Sequence, residues 1–354
     1  MIGPVRVGER LVGPGEPCLV VAEAGVNHNG DLDTALRLID AAVAAGADAV
    51  KFQSFIPEDL VTASAGKAAY QERFTGKGDQ LAMLRALALS GEEHARLKRH
   101  CDAASIEYLC TPYDLRSTDL IHAIGVSAFK VASTDTTNVP FLRYLAAKGR
   151  PVILSTGMCG LAEVELAVET LEHAGTRKAE VILLQCTAEY PAPVTEINLR
   201  AMQTMERAFL CPTGFSDHTM GIDASTWAVA VGACLVEKHF TLSRDMEGPD
   251  HRASVEPEEL ALLVRRVREV EAALGNGRKS VMPCEAGNRE KMRKSLVVLR
   301  DLAAGERISP ADLACKRPGT GLPPHLYDRV VGRTLARDVT ADSLLTMDAV
   351  LWED

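Results

Sequence analysis

The chain alternates between short apolar runs and longer amphipathic stretches from its start to about residue 281. Most of the short runs have the length and the continuous hydrophobic character of parallel strands buried on both faces. The eight candidate strands lie at residues 18–25, 48–54, 106–112, 128–133, 151–156, 180–187, 211–217 and 233–240. The seventh is weak by composition, and its place in the alternation is the reason to include it.

Helical patterns fill the gaps between these runs. Residues 32–45, 161–174 and 257–274 have helical periodicity, and Ser90 with Glu93 has the spacing of a capping box. Strands that alternate with helices predict a parallel sheet. Eight such units predict an α/β fold of the closed (β/α)8 type, the TIM barrel. An open doubly wound sheet is the alternative, which the lack of a GxGxxG motif after the first run makes less favourable.

The alternation stops near Val281. Residues 282–293 are polar and poorly periodic, which is typical of a linker. Residues 294–354 contain short strand-like runs separated by Gly, Pro and Asp, and we expect a small β-rich domain there. The sequence therefore predicts a catalytic barrel over residues 1–281, a linker, and a second domain.

Composition narrows the class of protein. The 354 residues carry a formal net charge of −9, which is unfavourable for a nucleic-acid partner. We see neither a signal-peptide pattern nor an apolar run long enough to span a bilayer. The nine cysteines are scattered without a CxxC pair, as in proteins with reduced thiols. These features predict a cytoplasmic protein without a membrane partner.

Polar side chains follow the predicted strands at their C-terminal ends, where a TIM barrel builds its active site. Lys51 and Lys130 lie in otherwise apolar strands, and burying them is costly unless an anion pairs with them. They therefore predict a phosphate or carboxylate ligand. Other candidates at these ends are Glu23, Gln53, Thr111, Ser133, Ser155, Ser216, His218, Glu237 and His239.

Two histidines and one glutamate suggest chemistry beyond binding. His218 and His239 follow neighbouring strands, and two imidazoles suit an open site for a divalent metal such as manganese. A catalytic histidine without a metal fits the pattern as well. Glu23 is either a general acid or base or a salt-bridge partner of one of the lysines.

Ordered blocks along nearly the whole chain resemble the sialic acid synthase family. They include AEAGVNHNG (22–30), YLCTPYDLRS (108–117), FKVASTD (129–135), LLQCTAEYPAP (183–193), GFSDHTMG (214–221) and GPDHRASVEP (248–257). The run KRPGTGLPP (316–324) resembles the family's small antifreeze-like domain, called SAF. The resemblance implies a TIM barrel followed by a SAF domain, assembled as a domain-swapped homodimer.

The resemblance also implies a reaction. The enzyme would condense phosphoenolpyruvate (PEP) with open-chain N-acetylmannosamine and water, giving N-acetylneuraminate and phosphate by C–O cleavage of PEP. The alternative is a legionaminic acid synthase, which uses 2,4-diacetamido-2,4,6-trideoxymannose.

Site roles follow from the matching positions. His218 and His239 would bind Mn²⁺, with Mg²⁺ or Co²⁺ as alternatives, and Glu23 would be the catalytic carboxylate. Arg317 would reach the sugar's N-acyl group in the partner subunit's site. The residues that would hold PEP are Lys51, Gln53, Thr111, Lys130, Ser133, Ser155 and Ser216. The other residues near the sugar would be Tyr190, Glu237 and Asp250.

One position departs from the family pattern. Some members have Asn where this chain has Ala188, so that contact is absent here or is replaced by Glu189. Two rival interpretations stay open: another TIM-barrel aldolase that forms a Schiff base on Lys130, and a carbohydrate-binding protein with the SAF-like tail as an interaction module.

Overall fold

The computed structural model describes residues 2–352, apart from the side chains of residues 69 and 70. The chain divides into two compact units, Met1–Gly275 and Asn276–Asp354. Within the described residues, no helix is both long enough and apolar enough to span a membrane.

The first unit is a closed barrel of eight parallel strands within the described residues, which confirms the predicted fold. Each strand pairs with the next, and the last pairs with the first. The strands are β1 (Leu19–Gly25), β2 (Ala49–Ser54), β3 (Glu107–Pro112), β4 (Phe129–Val131), β5 (Val152–Ser155), β6 (Val181–Cys186), β7 (Thr213–Asp217) and β8 (Leu235–His239).

Helices cover the outside of this barrel. The Ser90–Glu93 capping box is present at the start of Gly91–Ala103, where each side chain satisfies a backbone N–H at the helix start. The α-helices of the first unit are Leu32–Ala44, Pro57–Leu60, Ala69–Thr75, Gln80–Leu87, Gly91–Ala103, Leu115–Ala123, Val139–Ala146, Leu161–His173, Arg200–Phe209, Asp223–Ala230 and Pro257–Leu274.

The interior of the barrel is apolar at one end and polar at the other. Leu19, Leu109 and Ile182 belong to a buried cluster inside the strands. An N-terminal hairpin, Val5–Val7 with Arg10–Val12, contributes valines to the same cluster. The sequence pattern did not predict this hairpin. Since apolar side chains fill one end of the barrel, the polar side chains collect at the C-terminal ends of the strands.

The second unit has its own apolar core and a short antiparallel pair, Ser295–Val298 with Leu313–Lys316. Isolated bridges such as Leu302 with Val339 extend the β structure. Residues 282–293, the expected linker, contain an α-helix at Ala286–Met292. This helix lacks a buried residue, so it has no apolar stripe by which the sequence could have revealed it. A short helix at Tyr327–Val330 completes the unit's α-helices among the described residues.

Candidate active site

Lys51 and Lys130 lie on one cavity of about 360 Å³ at the C-terminal mouth of the barrel. Both side chains are about 97% buried. Lys51 Nζ lies 2.9 Å from Thr111 Oγ1, and Lys130 Nζ lies 2.8 Å from Ser155 Oγ. Strand pairing accounts for both contacts, because β2 is next to β3 and β4 is next to β5.

Glu237 links the two lysines. Its carboxylate oxygens lie 3.8 Å from Lys51 Nζ and 3.6 Å from Lys130 Nζ, and it accepts a 3.0 Å hydrogen bond from Ser216 Oγ. Burial by itself would raise the pKa of Glu237, but the two ammonium groups outweigh burial and lower it. Burial also lowers the pKa of Lys130, against the pull of Glu237. The negative charge of Glu237 thus offsets the repulsion between the two buried ammonium groups.

Glu23 forms the shortest ion pair of the site. Its Oε2 lies 2.7 Å from Lys51 Nζ, and Gln53 Nε2 donates to Oε1 at 3.1 Å. Burial raises the pKa of Glu23 to about 7; Lys51 opposes this shift and Glu237 adds to it. A carboxyl group that titrates near neutral pH is suited to proton transfer. The salt-bridge interpretation and the acid–base interpretation of Glu23 are therefore compatible.

Hydroxyl groups surround the lysines. Thr111, Ser155 and Ser216 are buried at the strand ends, and Ser133 Oγ accepts a hydrogen bond from the backbone N–H of Gly157 at 2.9 Å. The structure thus places all seven predicted PEP residues on the wall of one cavity, namely Lys51, Gln53, Thr111, Lys130, Ser133, Ser155 and Ser216.

The two histidines line the same cavity with their ring centroids 5.4 Å apart. His218 Nδ1 lies 2.7 Å from the carbonyl oxygen of Thr187, so that nitrogen donates a hydrogen bond and Nε2 is the nitrogen available to a metal. The pKa of His239 is lowered, first by burial and then by repulsion from His218 and the lysines. This ring therefore stays neutral.

This donor set fits a divalent metal. His239 Nδ1 is buried without a hydrogen-bond partner among the described residues, and Asp250 Oδ2 lies 4.0 Å away. The described residues contain no cluster of three or more His, Cys, Asp or Glu side chains placed to hold a metal. Against the effect of burial, Cys186 and the Thr187 carbonyl raise the pKa of His218, so this ring would have to lose a proton to bind a metal. Two imidazole ligands would then leave coordination positions for substrate or water, which is the arrangement of catalytic sites.

The residues predicted to lie near the sugar are more dispersed. Tyr190 stacks on His218 at 4.0 Å between ring centroids, and Asp250 lines an adjoining cavity. Ala188 lines the first cavity, whereas Glu189 is exposed and gives no support to the idea that it replaces the Asn of other members. Arg317 is an exposed residue of the second unit.

Sequence reasoning missed a buried ion pair behind the histidines. Asp217 and Lys238 are both fully buried, and their charged atoms lie 3.1 Å apart. Each is the chain neighbour of one histidine, and the paired strands β7 and β8 place them side by side. The signal was an acid and a base next to the two histidines, on the outward face of apolar strands.

Comparison with known proteins decides the family. Residues 38–279 match the model of the NeuB family, and residues 293–351 match that of the SAF domain. The chain belongs to the NeuB family. The N,N'-diacetyllegionaminic acid synthase of Campylobacter jejuni is 44% identical over 92% of this chain and 98% of its own length.

Two further relatives extend the likeness. The N,N'-diacetyllegionaminic acid synthase of Legionella pneumophila is 43% identical over 95% of this chain and 94% of its own. The solved N-acetylneuraminic acid (sialic acid) synthetase of Leptospira borgpetersenii is 34% identical, with a TM-score of 0.70, over 81% of this chain and 95% of that one. Like these members of the NeuB family, the chain is a sugar-acid synthase that acts on small molecules.

Proposed function

We propose that this NeuB-family chain condenses PEP with the open-chain aldehyde of an N-acylated amino sugar and with water, releasing phosphate. The observation that carries this proposal is the convergence of the buried side chains of Lys51, Lys130, Glu23 and two histidines on one cavity. A purely carbohydrate-binding protein has no need for such a set of buried charges, whose desolvation is costly.

PEP is held by the two lysines and the hydroxyls beside them. Its phosphate and carboxylate groups accept charge-assisted hydrogen bonds from Lys51 and Lys130. Thr111 and Ser155, which contact these lysines, turn their hydroxyls to the same anion. Gln53, Ser133 and Ser216 complete the wall, and together these groups fix the enol for attack.

The reaction then forms one C–C bond and breaks one C–O bond. C3 of PEP bonds to the aldehyde carbon, and the aldehyde oxygen takes up a proton to become a hydroxyl. Water adds to C2, and the bond between C2 and the phosphate oxygen breaks as the added hydroxyl gives its proton to the phosphate and C2 becomes a carbonyl. Glu23 accepts the proton of the attacking water. His218 and His239 would hold a divalent cation, manganese in the first place, and such a cation would supply Lewis-acid polarisation of the aldehyde oxygen. Tyr190, Glu237 and Asp250 orient the sugar.

For the sugar, we favour 2,4-diacetamido-2,4,6-trideoxymannose, with N-acetylmannosamine as the second candidate. The 44% and 43% identities to two N,N'-diacetyllegionaminic acid synthases support this order, since the sialic acid synthetase is 34% identical. The sequence resemblance alone had placed N-acetylmannosamine first.

Phosphate release tests the proposal. Manganese-loaded protein with PEP should release phosphate only when a sugar is added, and faster with the diacetamido sugar than with N-acetylmannosamine. A reversed preference would identify an N-acetylneuraminate synthase. If neither sugar supports phosphate release from metal-loaded, folded protein, the substrate assignment is wrong.

We also propose that the protein is a cytoplasmic homodimer in which Arg317 reaches the partner's site. Replacing Arg317 by alanine should raise KM for the sugar about 10- to 100-fold, the effect of one charge-assisted hydrogen bond, with little change in KM for PEP. Arg337→Ala is the control, because Arg337 is an exposed arginine of the same unit that pairs with Asp348. An unchanged sugar KM in the Arg317 variant would remove Arg317 from the site.

A further inference from the structure

A second cavity of about 360 Å³ adjoins the first. The two cavities share part of their lining, including Gln53, Tyr113, Tyr190 and His239. A molecule whose reacting end lies against the histidines can therefore extend from the first cavity into the second.

The residues that line only the second cavity are almost all apolar. We call six of them the apolar subsite, which is made of Val26, Phe55, Val61, Met83, Leu84 and Leu87. They come from the segments that follow β1 and β2 and from the helix Gln80–Leu87, and four of them form a small buried cluster.

The polar groups of the second cavity lie mostly on the wall that it shares with the first cavity. Gln53, Gln71 and Gln80 line both cavities, so they belong to the wall rather than to the apolar subsite. Asp250, which lines only the second cavity, lies 4.0 Å from His239. The second cavity thus has a polar entrance beside the histidines and an apolar far side.

We infer that the apolar subsite holds the C6 end of the sugar and selects a 6-deoxy sugar, whose C6 is a methyl group. This inference rests on the proposed function. The aldehyde carbon, C1, reacts beside His218 and His239, and the N-acyl group on C2 stays next to it at the polar wall. C6 is five bonds away along the open chain, and so it is the atom that reaches the far side of the second cavity.

The apolar subsite distinguishes methyl from hydroxymethyl because a buried hydroxyl needs a hydrogen-bond partner. The aliphatic side chains and the ring of Phe55 provide no hydrogen-bond partner, and the thioether of Met83 provides only a weak acceptor. The sequence could not reveal this subsite, since its members are separated in the chain and show no motif.

A matched pair of sugars tests the inference. The diacetamido-trideoxymannose and its 6-hydroxy counterpart, 2,4-diacetamido-2,4-dideoxymannose, differ only at C6. We expect kcat/KM to favour the 6-deoxy sugar by about 10- to 100-fold, the range in which an apolar pocket discriminates a single group. Phosphate release from PEP is the measurement.

Two nearly isosteric variants add a hydrogen-bonding group to the apolar subsite. Val61→Thr and Met83→Gln should each lower the preference about 3- to 10-fold. Val43→Thr is the control, because Val43 lies on the helix Leu32–Ala44, is 37% exposed and belongs to neither cavity. The preference is a ratio measured on one preparation, so a variant with a smaller folded fraction still gives a valid value.

The outcomes separate the two proposals. Equal kcat/KM for both sugars, or a ratio that neither variant moves, would overturn the assignment of C6 to the apolar subsite and leave the proposed reaction standing. No phosphate release with either member of the pair would instead contradict the favoured sugar of the proposed function.

Discussion

Replacing Glu23 by glutamine should lower the turnover number about 10²- to 10⁴-fold, the usual contribution of a positioned general acid or base. Glutamine keeps the size of the side chain, and its single amide oxygen can still accept a hydrogen bond from Lys51. The contact with Gln53 is kept when the Gln53 amide turns its oxygen toward the new NH2 group. Glutamine cannot accept the proton of the water that adds to C2 of PEP. The variant should therefore fold normally and fail at the chemical step.

PEP binding should respond differently to the same substitution. Glu23 lies 2.7 Å from Lys51, so its charge competes with the PEP anion for that cation. Glutamine removes the competition, and we expect the Kd for PEP to stay unchanged or to decrease. A static structural defect would weaken both binding and turnover, so this opposite behaviour identifies the catalytic role.

The pH dependence of PEP binding gives a second readout. Because burial raises the pKa of Glu23 to about 7, the group is mostly ionised at pH 8.5 and mostly neutral at pH 6.5. If PEP binds better beside the neutral form, affinity should rise as pH falls toward 7, by at most about tenfold per pH unit. The Glu23→Gln variant should lose this dependence.

Calorimetric titration with PEP and a phosphate-release assay measure the two quantities. Glu269→Gln is the matched control, since Glu269 is an exposed glutamate that pairs with Arg266 on an outer helix. Turnover in the Glu23 variant equal to that of the control would exclude Glu23 from the catalytic step.

The barrel could be predicted from the sequence because each strand is a short apolar run between helical patterns. Even the weak seventh strand was placed correctly, and the structure shows why its pattern is weak. A side chain at Gly214 would lie 2.4 Å from the carbonyl oxygen of Leu235, so the strand needs a glycine where a β-branched residue is usual.

The polar residues at strand ends could also be predicted, since the fold determines where strand ends meet. The contacts that these residues make with one another could not be predicted. The link between Glu237 and both lysines depends on side-chain directions across non-adjacent strands, which a linear pattern does not contain.

The region between β2 and Gly91 was the largest gap in the prediction. Its three short helices, Pro57–Leu60, Ala69–Thr75 and Gln80–Leu87, have too few turns to show a clear period. Asp79 caps the third of them, and this residue was the available signal. The missed helices form part of the second cavity, and so the apolar subsite came from the structure alone.

Replacing Lys130 by methionine should weaken PEP binding on the order of 100-fold, the effect of removing one charge-assisted hydrogen bond to an anion. Methionine fills the space left by the alkyl chain, but it leaves Glu237 with Lys51 as its remaining lysine, at 3.8 Å. The carboxylate then repels PEP in addition to the lost attraction. Titration of the folded variant with PEP measures the change.

Lys148→Met is the control, because Lys148 pairs with Asp119 on the outside of the barrel. We expect wild-type PEP affinity for the Lys148 variant, and an equal loss in both variants would trace the effect to general damage.

Lys130 also separates the proposed reaction from its closest rival, the Schiff-base aldolase. Burial lowers the pKa of Lys130, a property that imine-forming lysines share. Borohydride added during turnover should nevertheless leave the protein mass unchanged, since the proposed steps contain no imine. A sugar or pyruvyl adduct on Lys130 would make the protein a Schiff-base aldolase and overturn the assignment of Lys130 to PEP binding.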